Sequence, residues 1–77
     1  MSTSSRSEFR KRAGLTQLEL ARLTGSSAPQ ICIWEQGNGD LAPDLVSRIA
    51  HVLFERLKGI PQFQDPEELT RVLENGE

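Results

Sequence analysis

The sequence of 77 residues contains one cysteine, one histidine, no tyrosine and no long apolar run. A single cysteine excludes an internal disulfide framework, and no Cys/His cluster has the spacing of a zinc site. No segment approaches the roughly 18 apolar residues that predict a membrane span, and Met1–Ser7 lacks the apolar core of a signal peptide. We therefore expect a cytoplasmic protein that needs no metal or cofactor and has no membrane partner.

Residue patterns of common enzymes are also missing. The sequence has no paired carboxylates, nucleophile elbow or glycine-rich phosphate loop. His51 is predicted to lie on the polar side of a helix and has no partner for catalysis or metal binding. Cys32 has no neighbouring base in the sequence, so an inert thiol is favoured over a redox sensor. We expect no enzymatic activity.

The net charge of −2 and the pI near 5.4 disfavour a nucleic-acid partner at first sight. The charges are unevenly distributed, however. Residues 1–30 carry five basic and two acidic side chains, a net charge of +3, whereas residues 31–77 carry four basic and nine acidic ones, a net charge of −5. The whole-chain charge therefore does not exclude DNA as a partner of the first part, and the acidic C-terminal part could bind a basic protein.

Start and stop signals predict five short helices. Capping boxes of the form S/T-x-x-E/Q begin at Ser5, Thr16 and Ser27, and Asp65 precedes Pro66 as a fourth cap. Glycines 14, 25 and 37 follow the first three helices as stop signals. The predicted helices are 6–13, 17–24, 28–36, 42–57 and 66–74, with Asp40 as a candidate cap of the fourth. No segment alternates as a strand would, so we expect an all-α domain over 6–77 after a flexible tail, 1–5.

Apolar stripes show which faces of the later helices are buried. The fourth helix has a continuous stripe at helical spacing, made of Leu45, Val46, Ile49, Ala50, Leu53, Phe54 and Leu57. The last helix offers Leu69, Val72 and Leu73 on one side, either as core or as the seam of a dimer. The small size of the chain favours partial exposure of this stripe for dimerisation.

The second and third helices flank the turn Gly25-Ser26-Ser27, and such a short glycine-containing turn is typical of a helix-turn-helix. Leu20 and Ala21 are predicted to face inward on the second helix. Ile31 and Trp34, at i and i+3 on the third, are predicted to pack back onto them and onto Leu23. The outward side of the third helix then carries Ala28, Pro29, Cys32, Ile33 and Gln36.

The pattern Thr16-Gln17-x-x-Leu20-Ala21-x-Leu23-Thr24-Gly25, followed by Ser27 and Gln30-Ile31-x-x-Trp34-Glu35-x-Gly37, resembles the lambda-repressor-like, Cro/Xre-type DNA-binding domain. The resemblance runs from Phe9 through Leu53. It implies a five-helix all-α fold whose third helix lies in the major groove of double-stranded DNA. It also implies a prokaryotic or phage transcriptional regulator, repressor-like, that acts as a homodimer on two half-sites.

The resemblance assigns roles to particular residues. Gln17 and Asn38 match positions that contact phosphate, and Arg10 and Glu35 match a salt bridge between the first and third helices. Basic side chains of the first helix would hold phosphates, and the start of the third would meet the groove; together these are Arg10, Lys11, Arg12, Ser27, Ala28, Pro29, Gln30 and Ile33.

Plainer interpretations stay open for several of these residues. Ser27 and Gln30 are also explained by capping. Arg10 with Glu35 is also explained as a structural pair. Lys11 and Arg12 are also explained as a solvated face at a helix C-terminus, where basic side chains are favoured.

The sequence departs from the family pattern where contacts to DNA are made. Ala28, Pro29 and Ile33 stand where polar or basic side chains are more common, and their expected contact is apolar, for example with a thymine methyl group. The loop 37–41 has no lysine or arginine, and Asp40 would repel a phosphate. We therefore expect modest, salt-sensitive binding. The alternative is an antitoxin, or another protein-binding member of this fold that uses its acidic C-terminal part.

Overall fold

The computed structural model describes residues 5–58 and 63–75. Within these ranges the chain forms five α-helices and no strand, as predicted. The helices are α1 (Ser5–Arg12), α2 (Gln17–Thr24), α3 (Ala28–Glu35), α4 (Pro43–Arg56) and α5 (Pro66–Asn75). Each boundary lies within one residue of the predicted one, so the all-α prediction is confirmed.

Local hydrogen bonds explain why the helices begin and end where they do. Thr16 Oγ1 accepts from the amide of Glu19 at 3.0 Å, and the Glu19 carboxylate accepts from the amide of Thr16 at 2.9 Å. Asp65 Oδ1 accepts from the amide of Glu68 at 3.0 Å, as predicted for its cap. Ser5, the predicted first cap, is itself the first described helical residue, and its side chain and residues 1–4 lie outside the described part.

The prediction that Asp40 caps α4 is wrong. The N-cap is Ala42, which has no side-chain capping bond, and Pro43 is the first helical residue. Because proline fixes its own φ at a helical value, Pro43 sets the start of the helix three residues after Asp40. The carbonyl of Ala42 accepts from the amides of Leu45 and Val46 at 2.9 and 3.1 Å.

The core lies between α4 and the other helices. α5 packs mainly on α4 and also on α1, while α2 packs on both α3 and α4. Phe63, just before α5, meets Phe9 of α1 edge to face, with ring centroids 5.7 Å apart. The predicted inward residues of α2 and α3 are buried as expected. The buried apolar side chains are Phe9, Leu15, Leu20, Ala21, Ile31, Trp34, Val46, Ile49, Ala50, Leu53, Leu69 and Leu73.

Two predictions about apolar side chains are wrong. Leu23 is 51% exposed, because Thr24 takes the inward position one turn after Leu20 and donates its hydroxyl to the Leu20 carbonyl at 2.7 Å. On α5, Leu69 and Leu73 are fully buried against the rest of the domain, and Val72 is half-buried against the same core, so the stripe is core and not the partly exposed dimer seam that was favoured. Their i, i+4 stripe is consumed by the packing of α5 on α4.

Candidate nucleic-acid interface

The turn between α2 and α3 is defined by the left-handed backbone of Gly25, whose φ is 77°. The amides of Gly25 and Ser26 both donate to the carbonyl of Ala21, which closes the C-terminal end of α2. A residue with a β-carbon would be strained at this φ, so glycine allows the chain to turn at once into α3. The predicted helix-turn-helix geometry is present.

The N-terminal end of α3 is held by the predicted capping box. Ser27 Oγ accepts from the amide of Gln30 at 3.4 Å, and the side-chain oxygen of Gln30 accepts from the amide of Ser27 at 3.1 Å. The Nε2 group of Gln30 donates no hydrogen bond within the described residues. Gln30 can therefore cap the helix with its oxygen and still offer a donor to a base edge.

The outward side of α3 carries no charge. Pro29, Gln30 and Ile33 are exposed, and Ala28 is half-buried. Ile33 is 47% exposed, a high fraction for an isoleucine on a helix that packs into the core. The predicted groove residues thus share one accessible, mostly apolar surface at the start of α3.

The loop after α3 approaches Ile33 closely, a feature that sequence reasoning missed. A β-carbon at Gly39 would lie 2.8 Å from Ile33 Cγ2, so only glycine lets the loop backbone pass there without moving that side chain. Gly39 therefore positions Ile33 from one side. Asn38, the predicted phosphate contact, is exposed in this same loop and donates to Gln36 at 3.3 Å.

The C-terminal end of α3 is anchored by the predicted salt bridge. Arg10 Nε donates to Glu35 Oε2 at 2.6 Å, and Arg10 Nη2 donates to Oε1 at 3.2 Å. A third donor of Arg10 binds the carbonyl of Leu15 at 2.9 Å. Because Arg10 is only 9% exposed and its guanidinium is engaged inside the protein, this geometry favours a positioning role over a contact with phosphate.

Gln17, at the start of α2, joins the same cluster. Its Nε2 group donates to Glu35 Oε1 at 3.0 Å, so the Glu35 carboxylate ties α1, α2 and α3 together. Gln17 remains half-buried. Its role at phosphate stays a prediction, with a side chain already oriented by Glu35.

Arg6 forms a second anchor of α3, and sequence reasoning missed it. The side chain is 6% exposed, donates from Nη1 to the Trp34 carbonyl, and lies over the Trp34 ring with 4.6 Å from its guanidinium carbon to the centroid. It also donates to the carbonyls of Leu73 at 2.6 Å and Glu74 at 3.1 Å, which joins α5 to α3.

A signal for this anchor exists in the sequence. Arg6, Phe9 and Arg10 share one face of α1 at i, i+3 and i+4, and Phe9 is a core residue. Burial lowers the pKa of the Arg6 guanidinium, and the nearby Asp40 carboxylate partly offsets this. Asp40 lines the same surface pocket as Arg6, and it does not cap α4.

The remaining basic residues of the N-terminal half are accessible. Lys11, Arg12 and Arg22 are exposed, and none of them forms an ion pair within the described residues. Lys11 and Arg12 end α1, where their charge also complements the helix dipole. Accessible, unpaired cations are what a phosphate contact requires, so these two predicted residues remain candidates.

The described residues also bear on other kinds of site. No group of three or more His, Cys, Asp or Glu side chains in 5–58 and 63–75 is placed to hold a metal ion. Within the same ranges, no helix is both long and apolar enough to cross a membrane. Cys32 Sγ lies 3.4 Å from Gln36 Nε2, and His51 Nδ1 lies 2.8 Å from the Ser47 carbonyl.

Comparison with known proteins gave one match. A family profile described as Helix-turn-helix matches residues 7–60, which is more than two thirds of the chain and includes α2, the turn and α3. Neither a curated protein nor a solved structure matched the chain.

Proposed function

Because this chain belongs to the lambda-repressor-like helix-turn-helix family of DNA-binding domains, we propose that it is a sequence-specific transcriptional regulator of the repressor type. It reads the major groove of double-stranded DNA with α3 and requires no enzymatic step. The observation that carries the proposal is the contrast along α3. The N-terminal half is accessible and uncharged, while the C-terminal end is fixed in the core by Arg6 and Arg10.

Base recognition in this proposal is mainly apolar. Ala28, Pro29 and Ile33 contact thymine methyl groups, and Gln30 offers its Nε2 donor to a base acceptor. Few hydrogen bonds to bases are available on this surface, so the shape and flexibility of the DNA contribute to specificity. The preferred sites are therefore expected to be rich in A·T pairs.

Phosphate binding comes from the sides of the reading helix. Lys11 and Arg12 supply accessible positive charge, and the N-terminal end of α2 at Gln17 offers its partial positive charge to a phosphate. Asn38 offers a neutral contact in the loop. Since that loop has no cation and contains Asp40, each domain binds weakly. Two domains on half-sites about 34 Å apart would combine their binding free energies, which is why a homodimer is part of the proposal.

Salt-dependent binding of duplex DNA tests the proposal. The logarithm of the association constant should fall linearly with the logarithm of the salt concentration. Lys11→Ala and Arg12→Ala should each reduce that slope by about one and weaken all duplexes similarly. Arg71→Ala is the matched control, because Arg71 is exposed on α5 outside the proposed surface. Absence of binding at low salt, or a sequence-selective loss in Lys11→Ala, would contradict the assignment.

A second candidate function is binding of a basic protein partner, as in antitoxins. It is favoured by the exposed carboxylates of the C-terminal part, which include Asp65, Glu67 and Glu74. Co-expression with a neighbouring toxin-sized reading frame tests it. A stoichiometric complex that Glu67→Lys weakens and Lys11→Ala leaves intact would support this function, and absence of a complex would remove it.

A further inference from the structure

A shallow apolar groove lies between α2 and the end of α4, away from the turn and the outward side of α3. It consists of two depressions of about 320 and 200 Å³ that share Leu23 and Arg56. We call it the Leu23 groove; its lining residues are Leu15, Glu19, Arg22, Leu23, His51, Val52, Glu55 and Arg56.

The exposure of the Leu23 side chain has no explanation within the domain. At 51% exposure it is one of three large apolar side chains left exposed in the described residues, with Leu18 and Ile33. Ile33 belongs to the proposed DNA surface. Leu23 borders both depressions, beside the half-buried Val52, and an apolar side chain set in a concave apolar surface marks an interaction site more often than an isolated one does.

The other apolar surface considered for dimerisation is not accessible. Leu69 and Leu73 of α5 are fully buried inside the domain and Val72 is half-buried against the same core, so this stripe offers little surface to a second copy. Among the exposed large apolar side chains of the described residues, Leu23 lies in a groove outside the proposed DNA surface, whereas Leu18 lines neither depression.

The charges around the groove indicate its partner. Glu19 and Glu55 balance Arg22 and Arg56, so the rim has no net charge when His51 is neutral. None of these four forms an ion pair within the described residues. DNA or a strongly acidic or basic protein would meet repulsion from half of the rim. A second copy related by a two-fold axis can place each acid opposite a base.

We propose that the Leu23 groove is the surface on which a second copy of this chain docks, with Leu23 of each copy seated in the groove of the other. This dimer deepens the proposed function, since it supplies the pairing that half-site binding needs. A stable interface covers about 800 Å² on each partner, roughly a sixth of the 4854 Å² surface of this chain. The apolar floor alone is smaller than that, so the charged rim must take part and the dimer is weak, with a dissociation constant on the order of micromolar.

Sedimentation of the purified full chain over a range of micromolar concentrations tests the surface. The wild type should shift from monomer to dimer, and Leu23→Glu should raise the dissociation constant by at least about tenfold. Leu18→Glu is the matched control, because Leu18 is 49% exposed on the same helix but lies outside the groove. This variant should dimerise as the wild type does. Arg56→Glu, an exposed rim variant, should also weaken the dimer if Leu23→Glu does not fold.

The outcomes separate this proposal from the proposed function. A wild type that stays monomeric, or a Leu23→Glu variant that dimerises as the wild type does, overturns the dimer surface and leaves the groove to another occupant. A monomeric Leu23→Glu that still binds a duplex in a salt-dependent way supports both proposals. A chain that dimerises through Leu23 and binds no DNA supports the surface and overturns the DNA-binding function.

Discussion

The two ends of α3 are held in different ways. The N-terminal end is accessible, uncharged, and fixed by one local capping box between Ser27 and Gln30. The C-terminal end is buried and receives hydrogen bonds from Arg6 and Arg10, which come from a different helix. A helix that inserts into a groove needs its reading end free and its other end rigid, because small displacements at the anchor move every reading side chain together.

Electrostatics account for the use of arginine at the buried end. A helix C-terminus carries partial negative charge, and Glu35 adds a full negative charge at that unfavourable position. Arg10 neutralises the Glu35 carboxylate, while Arg6 satisfies the Trp34 carbonyl. Each arginine therefore satisfies an acceptor, a carbonyl or a carboxylate, that would otherwise be buried without a partner.

The largest effect on stability is expected when the buried ion pair between Arg10 and Glu35 is broken. Glu35→Ala leaves Arg10 uncompensated and should lower the free energy of unfolding by about 3–5 kcal/mol, measured by chemical denaturation. Glu55→Ala, which removes an exposed carboxylate, should change it by less than about 0.5 kcal/mol. Equal losses in the two variants would show that the ion pair at the C-terminal end of α3 stabilises the protein no more than an exposed carboxylate does.

A smaller loss is expected from the second anchor. Arg6→Met keeps much of the side-chain volume but leaves the carbonyls of Trp34, Leu73 and Glu74 without this donor. We expect a loss of about 2–3 kcal/mol in the free energy of unfolding. Arg22→Met on the exposed side of α2 is the control. A thermal unfolding curve of Arg6→Met that matches the control would show that Arg6 does not anchor α3.

A change at the N-terminal end of α3 should lower the free energy of unfolding by less than a change at either anchor. Ser27→Ala removes the side-chain cap of α3 and should cost about 1 kcal/mol. Thr16→Ala, which removes the equivalent cap of α2, should cost a similar amount, and both can be measured by urea unfolding. If Ser27→Ala destabilises the protein more than Arg6→Met does, the proposed contrast between the two ends is reversed.

The smallest effect is a pH dependence at the start of α2. Hydrogen bonds from Thr16 lower the pKa of the Glu19 carboxyl below its ordinary value, with small contributions from Arg56 and Arg22. A folded-state pKa below the unfolded one stabilises the protein above the unfolded pKa, and this stability is lost as the pH falls through the folded value. The melting temperature of the wild type should thus exceed that of Glu19→Gln at neutral pH, and the difference should disappear in acid. A difference independent of pH would contradict this assignment.

The structural features that could be predicted from the sequence are those that depend on neighbouring residues. Helix boundaries follow from caps and glycines within a few positions, and the boxes at Thr16 and Ser27 form as expected. The Arg10–Glu35 pair was predictable because the family resemblance supplied it, and the structure confirms it. These features need no knowledge of how distant helices pack.

The features that sequence reasoning missed depend on distant packing. Arg6 binds carbonyls of Leu73 and Glu74, 67 and 68 positions away, and nothing near Arg6 indicates where α5 will lie. Leu23 and Thr24 are both compatible with helical spacing from Leu20, and only the packed structure decides which one is inside. Asp40 was a reasonable cap by residue type, but Pro43 fixes a later start.

Selection of bound duplexes from a random pool, performed with the wild type, Ile33→Ala and Lys11→Ala, shows whether the exposed end of α3 reads the DNA sequence. The wild type should enrich one sequence motif, and Ile33→Ala should alter that motif at particular positions. Lys11→Ala should retain the motif with weaker binding overall. A wild type that enriches no motif, or an Ile33→Ala variant that selects the same motif as the wild type, would contradict the claim that the exposed end of α3 reads DNA.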